Sequence, residues 1–300
     1  MTRFKTIMVG LCLWAGLFSG AILGAESSRL GVVVVAHGAR GGEWNTLVEG
    51  VAGRVDLPYP LEVAFLMDSP EGKTLQDAVT RLENQSVEKI VVVPFLVSSY
   101  SGHYEELRYY LGLRAEAPGH VHGGPLKTRA RLVLTPALDN DAAIPEILLD
   151  YASEISRQPA QETVILVAHG PNEDEENEKW MKILKEFGEY LESKHSFKAV
   201  LGATLRDDAP APVRDAATQQ LRQMVTQAAQ NGTVLVVPVL ISKGLIQERI
   251  RERLEGLAYQ MCDKGLAQDP RIAETLRRRI LQQTAGPEQG LAAAGPASKK

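Results

Sequence analysis

Leu30-Gly31-Val32-Val33-Val34-Val35-Ala36-His37-Gly38 is an unbroken apolar, largely β-branched run that stops at a histidine and a glycine. A strand this apolar on both faces belongs in a parallel sheet covered by helices on each side. Outward from it, helical spacing over Glu43 to Val55 leads to a second strand, Leu61 to Met67, and a second helix, Thr74 to Leu82. Lys89 to Val97 is a third strand with a helix near Tyr104 to Arg114 behind it. Arg131 to Leu134 is a fourth, followed by a helix over Ala143 to Ser156. The βαβα alternation predicts a doubly wound parallel sheet with right-handed crossovers.

The run then recurs. Glu162-Thr163-Val164-Ile165-Leu166-Val167-Ala168 again ends in His169-Gly170, and Asn45 and Asn177 each stand eight residues beyond their histidine. Ala64–Asp68 matches Ala203–Asp207, Val91–Ser98 matches Leu235–Ser242, and Asp141–Leu148 resembles Asp269–Leu276. Matches in the same order read as two tandem copies of one α/β unit. The expected division is a first lobe over 26–156 that carries the active site, a degenerate second lobe over 157–284, and a disordered tail over 285–300.

Residues 1–25 stand apart. Arg3 and Lys5 precede an uncharged stretch from Thr6 to Ala25, with Gly24-Ala25 just before Glu26. This is the pattern of a signal peptide, and it is also long enough for an uncleaved N-terminal anchor. Both readings place the rest of the chain in the periplasm or otherwise outside the cytoplasm. The 300 residues carry 33 basic and 37 acidic side chains, a net charge of −4, and so lack the basic footprint that nucleic acid requires. Cys12 and Cys262 are too few for a disulfide framework or a four-cysteine zinc site.

In open α/β sheets ligands sit beyond the carboxyl ends of the strands. His37 ends the first strand, and His103 follows the third in the small-residue loop Ser98-Ser99-Tyr100-Ser101-Gly102-His103. Strands about 4.8 Å apart bring such imidazoles within reach of one ion. Neutral imidazole suits cobalt, iron, nickel and zinc. Asp68, ending the second strand, and Glu105, with Glu106 beside it, are candidate proton acceptors. Ser98, Ser99 and Gly102 are candidates for the floor of a pocket that takes a planar ligand. In the second copy Gln247 stands where His103 would be, so the site is assigned to the first copy and His169 reads as a structural remnant. His120 and His122, in a glycine loop, either hold incoming metal or are simply solvated, and Glu173 to Glu178 is expected as a solvated helix start. No glycine-rich phosphate loop occurs, so no nucleotide cofactor is expected.

Ala-His-Gly-x-Arg with an asparagine eight after the histidine, together with Val-Val-Val-Pro-Phe-Leu-Val-Ser followed by Gly-His, resembles the sirohydrochlorin chelatases of the CbiX/SirB type. The resemblance covers roughly Leu30 to Leu281. It implies two flavodoxin-like α/β lobes, or a dimer of single lobes, facing each other across a cleft. It also implies insertion of cobalt or ferrous iron into a sirohydrochlorin-like tetrapyrrole without ATP or a redox cofactor, and it maps the metal ligands onto His37 and His103. Where that family carries a serine after His-Gly, this chain has Ala39 and Pro171. The rival expectation is a non-catalytic, extracytoplasmic metal- or tetrapyrrole-binding protein on the same scaffold, in either case as a monomer or a homodimer.

Overall fold

The computed structural model describes residues 29–40, 42–119, 121, 123–285 and 291–292. The N-terminal segment 1–25, His120, His122 and most of the tail lie outside the described residues. Of the tail, Leu291–Ala292 pairs antiparallel with an outer strand of the first sheet.

The first lobe contains β1 (Leu30–Ala36), α1 (Glu43–Ala52), β2 (Leu61–Phe65), α2 (Leu75–Asn84), β3 (Lys89–Pro94), α3 (Gly102–Tyr110), β4 (Arg131–Leu134) and α4 (Ala143–Ile155). The second contains β5 (Glu162–Ala168), α5 (Asp174–Lys194), β6 (Ala199–Thr204), α6 (Ala211–Ala229), β7 (Thr233–Val239), α7 (Leu245–Arg253), β8 (Gln260–Met261) and α8 (Arg271–Ala285). Leu291–Ala292 is β9. The sheets run β2-β1-β3-β4-β9 and β6-β5-β7-β8, and the strands other than β9 are parallel. Two of the expected strands stop early. β3 ends at Pro94, with Phe95 N–H still donating to Val35 O at 2.7 Å; buried Phe95 and Leu96 then extend the apolar run as core rather than as sheet. α2 opens at Thr74, whose hydroxyl accepts from the Asp77 N–H while Asp77 accepts from the Thr74 N–H, a reciprocal cap.

Alternation along the central strands explains their two-sided apolar sequence. Val32, Val34 and Ala36 point into the same core as Val164, Leu166 and Ala168 of the second lobe. Val33 and Val35 face α2 and α3 on one outer side, and Ile165 and Val167 face α6 and α7 on the other. The shared core is filled by Ile147 and Leu148 of α4, Trp180 and Leu184 of α5, and Ile272 and Leu276 of α8. Polar ties lie around it: Tyr151 Oη donates to Gly265 O at 3.1 Å, Arg271 pairs with Asp150 at 2.6 Å, and Arg278 pairs with Asp141 at 2.7 Å. Each exposed pair contributes about 0–1 kcal/mol, whereas each fully buried Leu or Ile contributes about 1.5–3 kcal/mol, so the apolar core dominates the union of the lobes.

In each sheet the chain leaves the central strand to one side and returns on the other. The loops after β1 and β3, and after β5 and β7, therefore diverge and open a crevice at the carboxyl edge.

Candidate active site

Adjacent strands deliver the two first-lobe histidines. β1 pairs with β3 from Leu30↔Lys89 to Val35↔Pro94, so His37 leaves one strand beside the start of the loop that leads to His103. The rings meet edge to face, with centroids 4.4 Å apart and planes at 82°. The edge of Trp44, 6.4 Å away, flanks His37.

The turn after β1 is built to hold His37 still. Gly38 takes φ +90°, and a Cβ there would lie 2.0 Å from Met67 O. Met67 N–H donates to His37 O at 2.7 Å, tying the turn to the end of β2. Buried Asn45 grips the next residue, accepting from Ala39 N–H at 3.0 Å and donating to Ala39 O at 3.2 Å. Asn177 cannot do the same in the second lobe, because Pro171 replaces Ala39 and has no N–H. Asn177 instead accepts from Thr204 Oγ1.

His37 Nδ1 lies 2.5 Å from Gly38 O, which assigns the ring proton to Nδ1 and leaves the lone pair on Nε2. Burial depresses the His37 pKa below its ordinary 6.5, and the neighbouring His103 depresses it further. The Gly38 carbonyl opposes the shift, His169 adds to it and Asp208 offsets it. At neutral pH the ring is thus a lone-pair donor.

His103 lies in the first turn of α3, behind an N-cap at Ser101 that accepts from Tyr104 N–H. Its Nδ1 is 3.1 Å from Glu106 Oε2, one helical turn on, and Glu106 is 2% exposed. This is the carboxylate–histidine arrangement that fixes the tautomer and orientation of a metal-ligating imidazole.

The other predicted residues are spent differently. Glu105 turns away to Arg108 at 2.9 Å and Arg114 at 2.7 Å. Burial alone would raise its pKa, but the two guanidiniums outweigh burial and hold the carboxyl below its usual range. It is therefore a weak base, and Glu106 is the carboxylate that serves His103. Asp68 accepts from Arg40 Nε at 2.9 Å on the exposed rim. Ser98 and Ser99 shape the loop rather than present hydroxyls. Ser98 Oγ accepts from Tyr100 N–H at 3.1 Å, and Ser99 donates through N–H and Oγ to Asp139, both at 2.7 Å. Gly102 opens α3. Gln247 is buried and donates to Lys264 O at 3.2 Å, so it is a structural tie. Sequence reasoning missed Trp44, Asp139 and Trp180, whose indole N–H donates to Tyr100 O at 2.6 Å across the lobes. Grooves along α6, lined by Thr218, Arg222 and Gln227, hold none of these residues. No helix among the described residues is long and apolar enough to cross a membrane.

The roles of the two neighbouring glutamates separate experimentally. Glu106→Gln is expected to weaken Co²⁺ binding by about 10–100-fold, the usual cost of losing a ligand's supporting carboxylate. Glu105→Gln should change it less than threefold. Isothermal titration of both variants checks this, and the reverse ranking would contradict it.

Comparison with known proteins bears on the family and the fold. The CbiX family model matches residues 31–155 and again 163–283. A sirohydrochlorin cobaltochelatase of Methanothermobacter thermautotrophicus is 28% identical over 134 residues, covering 42% of this chain and 92% of its own. In fold, the chain is similar to Bacillus subtilis SirB solved with Fe³⁺, with TM-score 0.61 and 16% identity over 86% of this chain and 96% of that one. It is also similar to a multi-domain Deinococcus radiodurans protein described as resembling chelatases, with TM-score 0.57 and 19% identity over 89% of this chain and 57% of the other. With the family model spanning both lobes, the chain belongs to the CbiX family.

Proposed function

We propose that this protein inserts a divalent metal, cobalt or ferrous iron, into sirohydrochlorin or a closely related tetrapyrrole. The observation that carries the reading is the pair of imidazoles from adjacent strand ends, 4.4 Å apart at the crevice, with His103 held by Glu106. His37 Nδ1 faces the Gly38 carbonyl and His103 Nδ1 faces the Glu106 carboxylate, so each ring is oriented through its Nδ1. Among the described residues no group of three or more His, Cys, Asp or Glu is arranged to hold a metal. Two protein nitrogens leave the rest of the coordination sphere to water and then to ring nitrogens, which suits an ion that is passed on. As the ion enters, two pyrrole N–H protons leave, so charge is conserved.

Sirohydrochlorin and Co²⁺ mixed with limiting protein and followed by absorbance test the reading. Many equivalents of metallated product per protein are expected, whereas a stop at one equivalent would identify a carrier. The lowered pKa of His37 adds a condition. Metal binds the neutral ring, so a depressed pKa extends binding to lower pH, and binding is lost only as pH falls through that depressed value. NMR titration of the metal-free His37 ring should give a midpoint below 6.5; one at or above 6.5 contradicts the assignment.

The positive start and uncharged Thr6 to Ala25 support a location outside the cytoplasm. Fractionation of cells making the full chain should recover it in the extracytoplasmic or membrane fraction, and recovery with cytosolic markers contradicts this.

A further inference from the structure

His103 comes to the site at the end of a loop, so its place depends on what holds that loop. β3 ends at Pro94 and α3 begins at Gly102, and residues 95–101 lie outside any strand or helix. The holding group is Asp139. Its Oδ1 accepts from Ser99 N–H and its Oδ2 from Ser99 Oγ, both at 2.7 Å, so both carboxylate oxygens are engaged. The same hydroxyl accepts from Ala137 N–H at 2.9 Å. From there the ties run on to α3. Ser98 Oγ accepts from Tyr100 N–H, and Ser101 Oγ donates to Ser98 O at 3.1 Å and accepts from Tyr104 N–H at 3.3 Å. Tyr104, next to His103, donates through Oη to Thr135 O at 3.2 Å.

Asp139 is itself fixed. Its N–H donates to Val97 O at 2.9 Å, and Arg279 of α8 donates to the Pro136 and Ala137 carbonyls just before it. Its φ is +46°, a left-handed conformation that aspartate adopts more readily than most side chains.

The duplication supplies an internal comparison. Leu138 and Asp139 donate to Leu96 O and Val97 O, and Leu266 and Ala267 donate to Leu240 O and Ile241 O, so Asp139 and Ala267 hold equivalent places. Ser99 corresponds to Lys243. The copy with His103 therefore has both halves of the clamp, and the copy with Gln247 has neither. In that second copy His169 Nε2 faces Asp208 Oδ2 at 3.3 Å, and Gln247 donates to Lys264 O. The shared backbone contacts form in both lobes, so folding alone does not call for the carboxylate.

We infer that Asp139 is a positioning residue for metal binding: through Ser99, its carboxylate holds the loop that presents His103 where its ring meets His37. The inference rests on the reading of these two histidines as the metal-binding pair. A loop ordered before the ion arrives removes that ordering from the cost of binding. The effect of Asp139 passes wholly through His103.

Co²⁺ titrations of the full chain without macrocycle test this as a double-mutant cycle. Asp139→Gly removes the carboxylate and keeps the left-handed φ accessible. It should weaken Co²⁺ binding by about tenfold, the low end of what the supporting partners of a ligand contribute. Asp139→Asn, whose amide oxygen still accepts from Ser99 N–H, should lose less. In a His37→Ala background Asp139→Gly should again weaken binding by about tenfold, whereas in a His103→Ala background it should change binding by less than about twofold, because the coupled partner is gone. Should Asp139→Gly fail to fold, Ser99→Ala takes its place with the same expected dependence on His103. An equal loss in the His103→Ala background overturns the inference in favour of a general structural role. Wild-type affinity matched within about twofold by Asp139→Gly overturns this inference alone. A wild type that binds no Co²⁺, or binding undiminished in the His37→Ala, His103→Ala double variant, removes the metal-pair reading and this inference with it.

Discussion

Changing both His37 and His103 to alanine is expected to reduce metal insertion by at least about 10³-fold, beyond the 10–100-fold typical of losing one supporting partner of a ligand. The reasoning is geometric. Each ring approaches the other from a separate strand end, and the two rings meet edge to face at 4.4 Å between centroids. Either one alone would hold a divalent ion only weakly. Neither residue is part of the apolar core, so the double variant should fold and melt within a few degrees of wild type. Initial rates of sirohydrochlorin metallation at saturating Co²⁺ measure the effect. Insertion that persists undiminished would remove both residues from the chemistry.

The second large effect concerns the turn beneath His37. Gly38→Ala should destabilise the protein by about 3–5 kcal/mol, combining an unfavourable positive φ with a forced backbone displacement. The new Cβ would fall 2.0 Å from Met67 O, a backbone atom that cannot rotate away, on the residue whose N–H bonds His37 O. Relief would have to separate the ends of β1 and β2 and swing the His37 ring. Gly42→Ala provides the control. Its φ is +82°, but nothing lies within 4 Å of the added carbon, so only the conformational cost of about 1–2 kcal/mol applies. Urea denaturation of both variants should show the gap. Equal destabilisation would mean that the close approach at Gly38 carries no weight.

Much of this was legible in the residues themselves. Valine runs bounded by Gly38 and Gly170 mark the central strands because such runs need cover on both faces, and the covering layers are present. Pairing of His37 with His103 followed from the rule that strand ends carry the site, and the rings do meet. The choice between Glu105 and Glu106 was open to helical spacing: residues three apart share a face, so Glu106 was the one positioned beneath His103. Glu105 drew attention as the nearer acid in sequence, but Arg108 and Arg114 claim it, and Arg114 lies beyond the end of α3. The matching asparagines mark the repeat but do not share a role. Asn45 and Asn177 occupy like positions, yet Pro171 removes the N–H that the clamp requires. What no pattern showed was the joint core, since a strand buried on both faces does not reveal which face meets a helix of its own lobe and which meets the other lobe. The Asp208 contact of His169 was hidden for the same reason, depending on a loop beyond β6 whose path only the folded chain sets.

Cobalt K-edge X-ray absorption on the Co²⁺-loaded full chain examines the pairing of His37 and His103 most directly. Two imidazole nitrogens should appear in the coordination sphere, dropping to one in either single alanine variant and to none in the double variant. A spectrum unchanged by the double substitution would show that the ion is held elsewhere.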